Sequence, residues 1–185
     1  MVIDNYDSFT HNLVHLIETC GAEVDVYRND IISIDEAGLY KKIMLSPGPG
    51  LPKEAGIMPK LITMLAPSAS IFGICLGMQA IVESFGGQLN NLVCPIHGQP
   101  TRIDIVLPFD PVFKNLPASF SGGHYHSWVA DREKLPECLK VTSVDDKGNI
   151  MSVRHHSFDV CGVQFHPESV MTPLGKTIIE NWLQN

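Results

Sequence analysis

Short apolar runs and amphipathic stretches alternate along the first half of the chain. Runs of strand length or strand-like alternation lie at residues 2–3, 23–27, 43–45 and 71–74. Apolar residues at helical spacing predict helices at residues 9–20, 57–65 and 76–85. The first helix is expected to be capped by Ser8 or Thr10 and to end at Gly21. Strands and helices that alternate in this way are typical of a parallel sheet covered on both faces.

The second half of the chain is less regular. Further strands are predicted at residues 101–106, 139–143, 149–154 and 160–164. Thr172 and Pro173 predict the N-terminus of a last helix, with Thr172 as its N-cap. Residues 1–185 are therefore predicted to form a single α/β domain, with a doubly wound, mostly parallel open sheet, helices on both faces and antiparallel additions. In such folds ligands bind beyond the carboxyl ends of the strands.

Composition narrows the possible functions. The 185 residues carry a net charge of −7 and are 44% hydrophobic, and no stretch is rich in basic residues. Binding to nucleic acid is therefore not expected. No apolar run has the length of a membrane span, and no signal peptide is visible, so neither membrane association nor export is expected. The five cysteines are scattered without a Cys-x-x-Cys pair, which argues against zinc and against a disulfide framework, and a reducing cytoplasm is expected.

A thiol stands at a sharp turn between a predicted strand and a predicted helix. Gly73 and Gly77 flank Cys75 in the pattern Gly-x-Cys-x-Gly. This is the sequence of a nucleophile elbow with Cys in place of Ser, and we expect the glycines to permit the bend and the thiol to be exposed at the sheet end. The start of a helix also favours the thiolate. Isolated cysteines are more often small core residues, which is the interpretation for Cys20, Cys94, Cys138 and Cys161.

A histidine and a carboxylate two residues apart follow the last predicted strand. A cysteine nucleophile needs a base, and the base needs an acceptor that orients it. His166 and Glu168 can fill these roles, and Pro167 between them disfavours helix at His166. Alone, a His-x-Glu pair near a strand end would indicate only a surface histidine. Together with Cys75 it predicts a Cys-His-Glu catalytic triad.

These two motifs resemble the catalytic signatures of the class I, or triad, glutamine amidotransferases. The segments at residues 4–12, 46–52 and 125–127 narrow the resemblance to the glutaminase subunits of anthranilate synthase and aminodeoxychorismate synthase. All five motifs occur in the family's order and span essentially the whole chain. The resemblance implies a flavodoxin-like fold and L-glutamine as substrate.

The resemblance also implies roles for further residues. The loop after the predicted strand at 43–45 has the sequence Ser-Pro-Gly-Pro-Gly, which alone would indicate only a turn. In the family it helps to form the oxyanion hole, for which we expect the N–H groups of Leu76 and Gly50, with Gly48 an open alternative to Gly50. Substrate contacts are expected from Gly48, Pro49, Gly50, Gln79, Ser127 and Trp128.

The predicted reaction is hydrolysis of glutamine through a Cys75 thioester, with transfer of the ammonia to a partner. By resemblance the partner is a chorismate-using synthase of tryptophan or folate biosynthesis, and the Mg²⁺ of the overall reaction belongs to it; no metal or cofactor is expected in this chain. Two alternatives stay open from the residues. One is a stand-alone cysteine hydrolase, such as a peptidase or γ-glutamyl hydrolase, and the other is a non-catalytic binding subunit.

Overall fold

The backbone is organised around one mixed sheet. The computed structural model describes residues 1–107 and 110–185, and within these the sheet has nine strands in the order β2-β1-β3-β4-β9-β8-β7-β5-β6. The strands are β1 Val2–Asp4, β2 Val26–Arg28, β3 Lys42–Leu45, β4 Ser70–Ile74, β5 Leu89–Ile105, β6 Ser119–Ala130, β7 Leu139–Asp145, β8 Ile150–His155 and β9 Val160–Val163. The predicted α/β sheet with antiparallel additions is confirmed.

The first five strands in this order run parallel. β1 pairs with β2 and β3, β4 pairs with β3, and β9 pairs with β4. The order 2-1-3-4 followed by one more parallel strand is the flavodoxin-like arrangement, whose carboxyl ends form a ligand-binding edge. The pairing of Ile74 with Val163 is decisive for function, because it brings the ends of β4 and β9 together although 89 residues separate them.

The antiparallel part of the sheet is larger than the sequence predicted. The sequence does not predict β6 or the first half of β5, because neither shows the regular apolar alternation of a half-buried strand: Pro95 and Pro100 interrupt β5, and β6 is rich in serine, glycine and histidine. The two strands pair with each other over most of their length. These segments are strands because of the hydrogen bonds between them, and such pairing cannot be predicted from the sequence of one segment alone.

Five α-helices occur in the described ranges: α1 Thr10–Thr19, α2 Ile34–Ala37, α3 Met58–Leu65, α4 Leu76–Ser84 and α5 Gly175–Gln184. The short α2 was not predicted, although Ser33 and Glu36 form a capping box that the Ser-x-x-Glu spacing could have indicated. The expected caps of two other helices are wrong. Thr10 lies inside α1 and donates to Asp4 Oδ1 at 2.8 Å, and α5 begins after Leu174 rather than after Thr172.

The hydrophobic core lies on both faces of the parallel strands. Ile43 and Leu45 face one cluster, which includes buried residues of α3 and α4, whereas Met44 faces the other, which includes buried residues of α1 and α5. Neighbouring residues of one strand thus enter different layers, as expected for a doubly wound sheet. Among the described helices none has the length and apolar content that a membrane span requires.

Candidate active site

Cys75 forms the turn between β4 and α4. Its φ of 51° and ψ of −102° lie outside the regions that L-residues ordinarily occupy, and its N–H donates to Val163 O at 2.8 Å. A conformation of this kind costs on the order of 1–3 kcal/mol and tends to occur at functional sites. The thiol is buried rather than exposed as the sequence suggested, with 6% of the residue accessible. Cys75 lines the cleft described below, which gives a ligand a route to the sulfur.

The flanking glycines serve close packing, and the bend itself falls on Cys75. A Cβ atom at Gly73 would lie 2.4 Å from the carbonyl carbon of Gly77, and one at Gly77 would lie 2.5 Å from Leu45 O. Neither glycine is among those with a positive φ. The role predicted for them is thus corrected, since they let α4 pack directly on the ends of β3 and β4.

His166 and Glu168 are held together beside this turn. His166 Nδ1 and Glu168 Oε1 are 2.7 Å apart, and both side chains are buried. The other ring nitrogen, Nε2, has no partner within hydrogen-bond geometry in the described part of the chain. With Nδ1–H donating to the carboxylate, Nε2 is left for the nucleophile or the substrate.

The protonated form of His166 is stabilised by its neighbours. Burial alone would lower the pKa of His166, but interactions with Cys75 and Glu168 outweigh it and raise that pKa to about 10. The Glu168 contact has the better-defined geometry, because the Cys75 thiol lies near the ring without a full hydrogen bond. An imidazolium beside a thiol favours the thiolate.

Backbone and aromatic contacts fix the position of the imidazole. The His166 N–H donates to Gly123 O in β6, and Thr172 Oγ1 donates to His166 O at 2.7 Å. The rings of Phe9 and Tyr125 pack against the imidazole, with centroid distances of 5.5 and 4.9 Å. Thr172, expected to cap a helix, instead anchors the histidine loop. No sequence pattern predicted that Phe9 and Tyr125 pack against the imidazole or that Thr172 anchors its loop.

A cleft of about 290 Å³ opens at Cys75. It is lined by Gly48, Pro49, Gly50, Leu51, Cys75, Leu76, Gln79, Tyr125, His126, Ser127 and Trp128. Every residue predicted to contact substrate lies in this lining, as do both predicted oxyanion donors. The cleft therefore brings Cys75, the predicted oxyanion donors and the predicted substrate contacts together at the carboxyl ends of β3 and β4, whereas His166 and Glu168 are not among its lining residues.

Three residues of the cleft lining have backbone N–H groups without a partner in the described ranges. Leu76 is the first residue of α4, and within residues 1–107 and 110–185 its N–H meets no acceptor, nor do those of Gly48 and Gly50. Gly50 has a φ of +77°, whereas Gly48 lacks room for a side chain, because a Cβ there would lie 2.6 Å from Asn5 Cβ. The arrangement can receive an oxyanion, and the choice between Gly48 and Gly50 stays a prediction.

The loop that carries these glycines is tied to the N-terminal motif. Asn5 donates from its backbone to Ser46 Oγ and from its side chain to Ser46 O, both at 2.9 Å. Asn29 donates in turn to Asn5 Oδ1 at 3.0 Å. Buried amides of this kind fix the start of the loop, which gives the resemblance at residues 4–12 a physical role.

On the opposite wall, β6 leaves its ladder with β5. Trp128 pairs with Asn91 and His126 with Ile96, so Ser127 stands opposite a bulge of four residues, 92–95. Ser127 therefore has no paired residue on β5. The carbonyl of Trp128 is already used within the protein, since it accepts from Gln79 Nε2 at 2.9 Å.

Two buried histidines of β6, His124 and His126, are joined by a hydrogen bond. Thr101 Oγ1 lies 2.8 Å from His124 Nε2, and His124 Nδ1 lies 3.1 Å from His126 Nε2. Burial, together with the proximity of other histidines, lowers the pKa of His124 to about 3 and that of His126 to about 4. Both side chains are thus neutral at pH 7 and support the cleft wall rather than supply a charge.

The fold and the site define an α/β protein with a buried thiol, a histidine oriented by a carboxylate and a glycine loop beside the thiol. The sequence model of the family "Glutamine amidotransferase class-I" matches residues 1–185. The chain belongs to the class I glutamine amidotransferases.

Named relatives cover nearly the whole chain. It is 44% identical to anthranilate synthase component 2 of Azospirillum brasilense over 99% of this chain and 94% of the relative. It is 41% identical to the aminodeoxychorismate/anthranilate synthase component 2 of Bacillus subtilis over 100% and 95% of the two chains.

A solved structure shares the fold. It is that of a Thermoplasma acidophilum protein described as a GMP synthase subunit, with a TM-score of 0.88 and 24% identity over 99% of this chain and 90% of that chain. At this identity the likeness shows the architecture alone.

Proposed function

We propose that the chain is the glutaminase subunit of a two-component synthase: it hydrolyses L-glutamine and delivers the ammonia to a chorismate-using partner. The observation that carries the proposal is the buried Cys75 beside the His166–Glu168 pair, at the base of a cleft lined with free N–H groups. Membership of the glutamine amidotransferase family supports glutamine as the substrate.

The first half of the reaction forms a thioester. The Cys75 thiolate attacks the side-chain amide carbon of glutamine, and the resulting oxyanion is received by the N–H of Leu76 and that of Gly50 or Gly48. Collapse of this intermediate breaks the C–N bond. The leaving nitrogen takes the proton of the His166 imidazolium and departs as ammonia, which leaves a γ-glutamyl thioester and a neutral His166.

The second half regenerates the thiolate. His166 now accepts a proton from water, and the oxygen attacks the thioester carbon in the same oxyanion site. Cleavage of the C–S bond releases glutamate and restores the thiolate–imidazolium pair. Glu168 keeps the histidine in one tautomer and orientation in both halves.

The names of the relatives support a proposal for the partner. Those in Azospirillum brasilense and Pseudomonas aeruginosa are named anthranilate synthase component 2, and the Bacillus subtilis relative is named for both aminodeoxychorismate and anthranilate. We propose a synthase of one or both kinds, in tryptophan or folate biosynthesis, as the partner. We further expect Mg²⁺ to be needed by that partner, no cofactor to be needed by this chain, and both subunits to work in the cytoplasm.

Glutamate formation by the purified chain, alone and with a synthase partner, tests the proposal. We expect a low rate for the lone chain and a large increase with partner and chorismate, because a small displacement of an oxyanion donor costs about 100-fold or more. The aromatic product then distinguishes anthranilate from aminodeoxychorismate. Equal rates with and without partner would refute the coupling. Cleavage of peptides or γ-glutamyl conjugates in preference to glutamine would favour a stand-alone hydrolase, and a Cys75 inert to a thiol-reactive glutamine analogue would favour a binding subunit.

A further inference from the structure

A second glutamine side chain contacts the nucleophile directly. Gln164 is completely buried at the end of β9, and its Nε2 lies 3.5 Å from Cys75 Sγ. Its Oε1 lies 3.2 Å from Gln79 Nε2. Both hydrogen bonds of this carboxamide thus go to residues of the active site, although the mechanism above gives Gln164 no role.

The hydrogen-bond chain determines which end of Gln164 faces the sulfur. The backbone carbonyl of Trp128 can only accept, so the group of Gln79 that lies 2.9 Å from it must be the NH₂. The same NH₂ reaches Gln164, which must therefore present its oxygen there. The NH₂ of Gln164 is then left for Cys75. The Trp128 carbonyl at one end of this series of hydrogen bonds thus determines that Gln164 presents a donor to Cys75 at the other end.

We infer that Gln164 is a positioning residue for the nucleophile: its N–H donates to the Cys75 sulfur, stabilises the thiolate and holds it toward the cleft. The inference rests on the proposed thiol mechanism and adds a donor to it. A thiolate in a buried site needs hydrogen-bond donors, and in the described structure the Gln164 amide is the side chain that meets Sγ within hydrogen-bond geometry. Since Gln79 and Trp128 line the cleft, this series of hydrogen bonds also connects the cleft wall to the Cys75 sulfur.

The test measures the reactivity of Cys75 without glutamine. The purified chain is treated with iodoacetamide from pH 5 to pH 10, and alkylation of the Cys75 peptide is followed by mass spectrometry. Gln164→Met removes the donor at similar volume, and Gln164→Glu replaces it with a carboxylate. We expect the half-point of Cys75 alkylation to rise by about one pH unit in Gln164→Met and further in Gln164→Glu, because hydrogen bonds to charged groups are worth roughly this much.

Two controls separate this role from a general disturbance. The exposed Cys94 serves as an internal reference whose profile should not move, and Gln184→Leu, at the exposed end of α5, should leave the Cys75 profile unchanged. Thermal melting establishes that each variant is folded. The glutaminase rate of Gln164→Met should recover toward that of the wild type as the pH is raised, which a structural defect would not do.

The outcomes are decisive in both directions. A folded Gln164→Met chain with a wild-type Cys75 profile overturns the inference. If that variant does not fold, Gln79→Met replaces it: this change removes the donor that orients Gln164, so an upward shift supports the inference and an unchanged profile overturns it. A shifted profile in a chain that hydrolyses no glutamine even with a synthase partner and chorismate would refute the proposed function and leave the hydrogen bond from Gln164 to Cys75 intact.

Discussion

His166 Nδ1 lies 2.7 Å from Glu168 Oε1, and a single residue, Pro167, separates the two in the sequence. Pro167 disfavours helix at His166, so the two side chains can meet across it. The contact commits Nδ1–H to the carboxylate and leaves Nε2 for the reaction. It also raises the pKa of His166, so the pair determines both the orientation of the imidazole and its charge.

Replacement of the nucleophile should abolish glutamine use and spare ammonia use. In Cys75→Ala the thioester cannot form, and we expect glutamine-dependent product to fall by more than about 1000-fold. Synthesis from added ammonium by the assembled complex should continue at the wild-type rate. Cys20→Ala is the control, because this cysteine follows α1 and is absent from the cleft lining, so its replacement should change stability more than activity. Glutamine-dependent synthesis by Cys75→Ala would mean that another residue is the nucleophile.

Loss of the base should cost more than loss of its orienting carboxylate. We expect His166→Ala to lower kcat/KM by about 100- to 10,000-fold and Glu168→Gln to lower it less, since the latter keeps an imidazole in place. The pKa of His166 is raised to about 10, so the imidazolium persists through neutral pH. Glu168→Gln removes a cause of that increase, and the alkaline decline of kcat/KM should begin at a lower pH. Profiles from pH 6 to pH 10.5 measure this. A larger loss in Glu168→Gln than in His166→Ala would contradict the assigned roles.

A methyl group at Gly50 should impair catalysis beyond its effect on stability. The φ of Gly50 is +77°, and a Cβ atom at this residue would lie 2.6 Å from Glu54 Oε2. Gly148 is a matched control, with a φ of +80° and no atom within 4 Å of an added Cβ. Each alanine variant should lose about 1–2 kcal/mol from the left-handed backbone. Only Gly50→Ala should also lower kcat, by about 100-fold or more, through displacement of an oxyanion donor. Equal kcat values in both variants would remove Gly50 from the oxyanion hole.

The neutral histidines of β6 should make the fold sensitive to acid. The pKa values of His124 and His126 lie at about 3 and about 4, below the ordinary value of 6.5. Between pH 6.5 and the lowered pKa of each histidine, the unfolded chain binds more protons than the folded one. The free energy of unfolding therefore falls as the pH is lowered through this range. The loss is about 1.4 kcal/mol per pH unit for each histidine. Urea denaturation from pH 6 to pH 5 should approach this slope, and His124→Asn should reduce it by about the 1.4 kcal/mol per pH unit that one histidine contributes.

The control for acid sensitivity is His15→Asn, which alters an exposed histidine of α1. Its slope against pH should match that of the wild type. If His124→Asn also kept the wild-type slope, the two buried histidines would not be the source of acid sensitivity, and the denaturation curves would have to be explained by other groups.

Local features of the site could be predicted because their causes are local. An apolar run, two glycines around Cys75 and an amphipathic segment determine a strand, a turn and a helix over a few residues. The spacing of His166 and Glu168 similarly permits contact without help from the rest of the chain. The family resemblance supplied the loop at residues 46–52 and the wall at Ser127 and Trp128, whose roles no local pattern could reveal.

The sequence by itself determined the α/β class, the position of the thiol turn and the two partners of the triad. Only the tertiary structure decided that β9 lies beside β4, which places Gln164 against Cys75, and that β6 and Thr172 hold the histidine loop. It also assigned the bend to Cys75 and close packing to Gly73. The physical reason is that strand order and register depend on contacts between segments far apart in the chain, which no local periodicity contains.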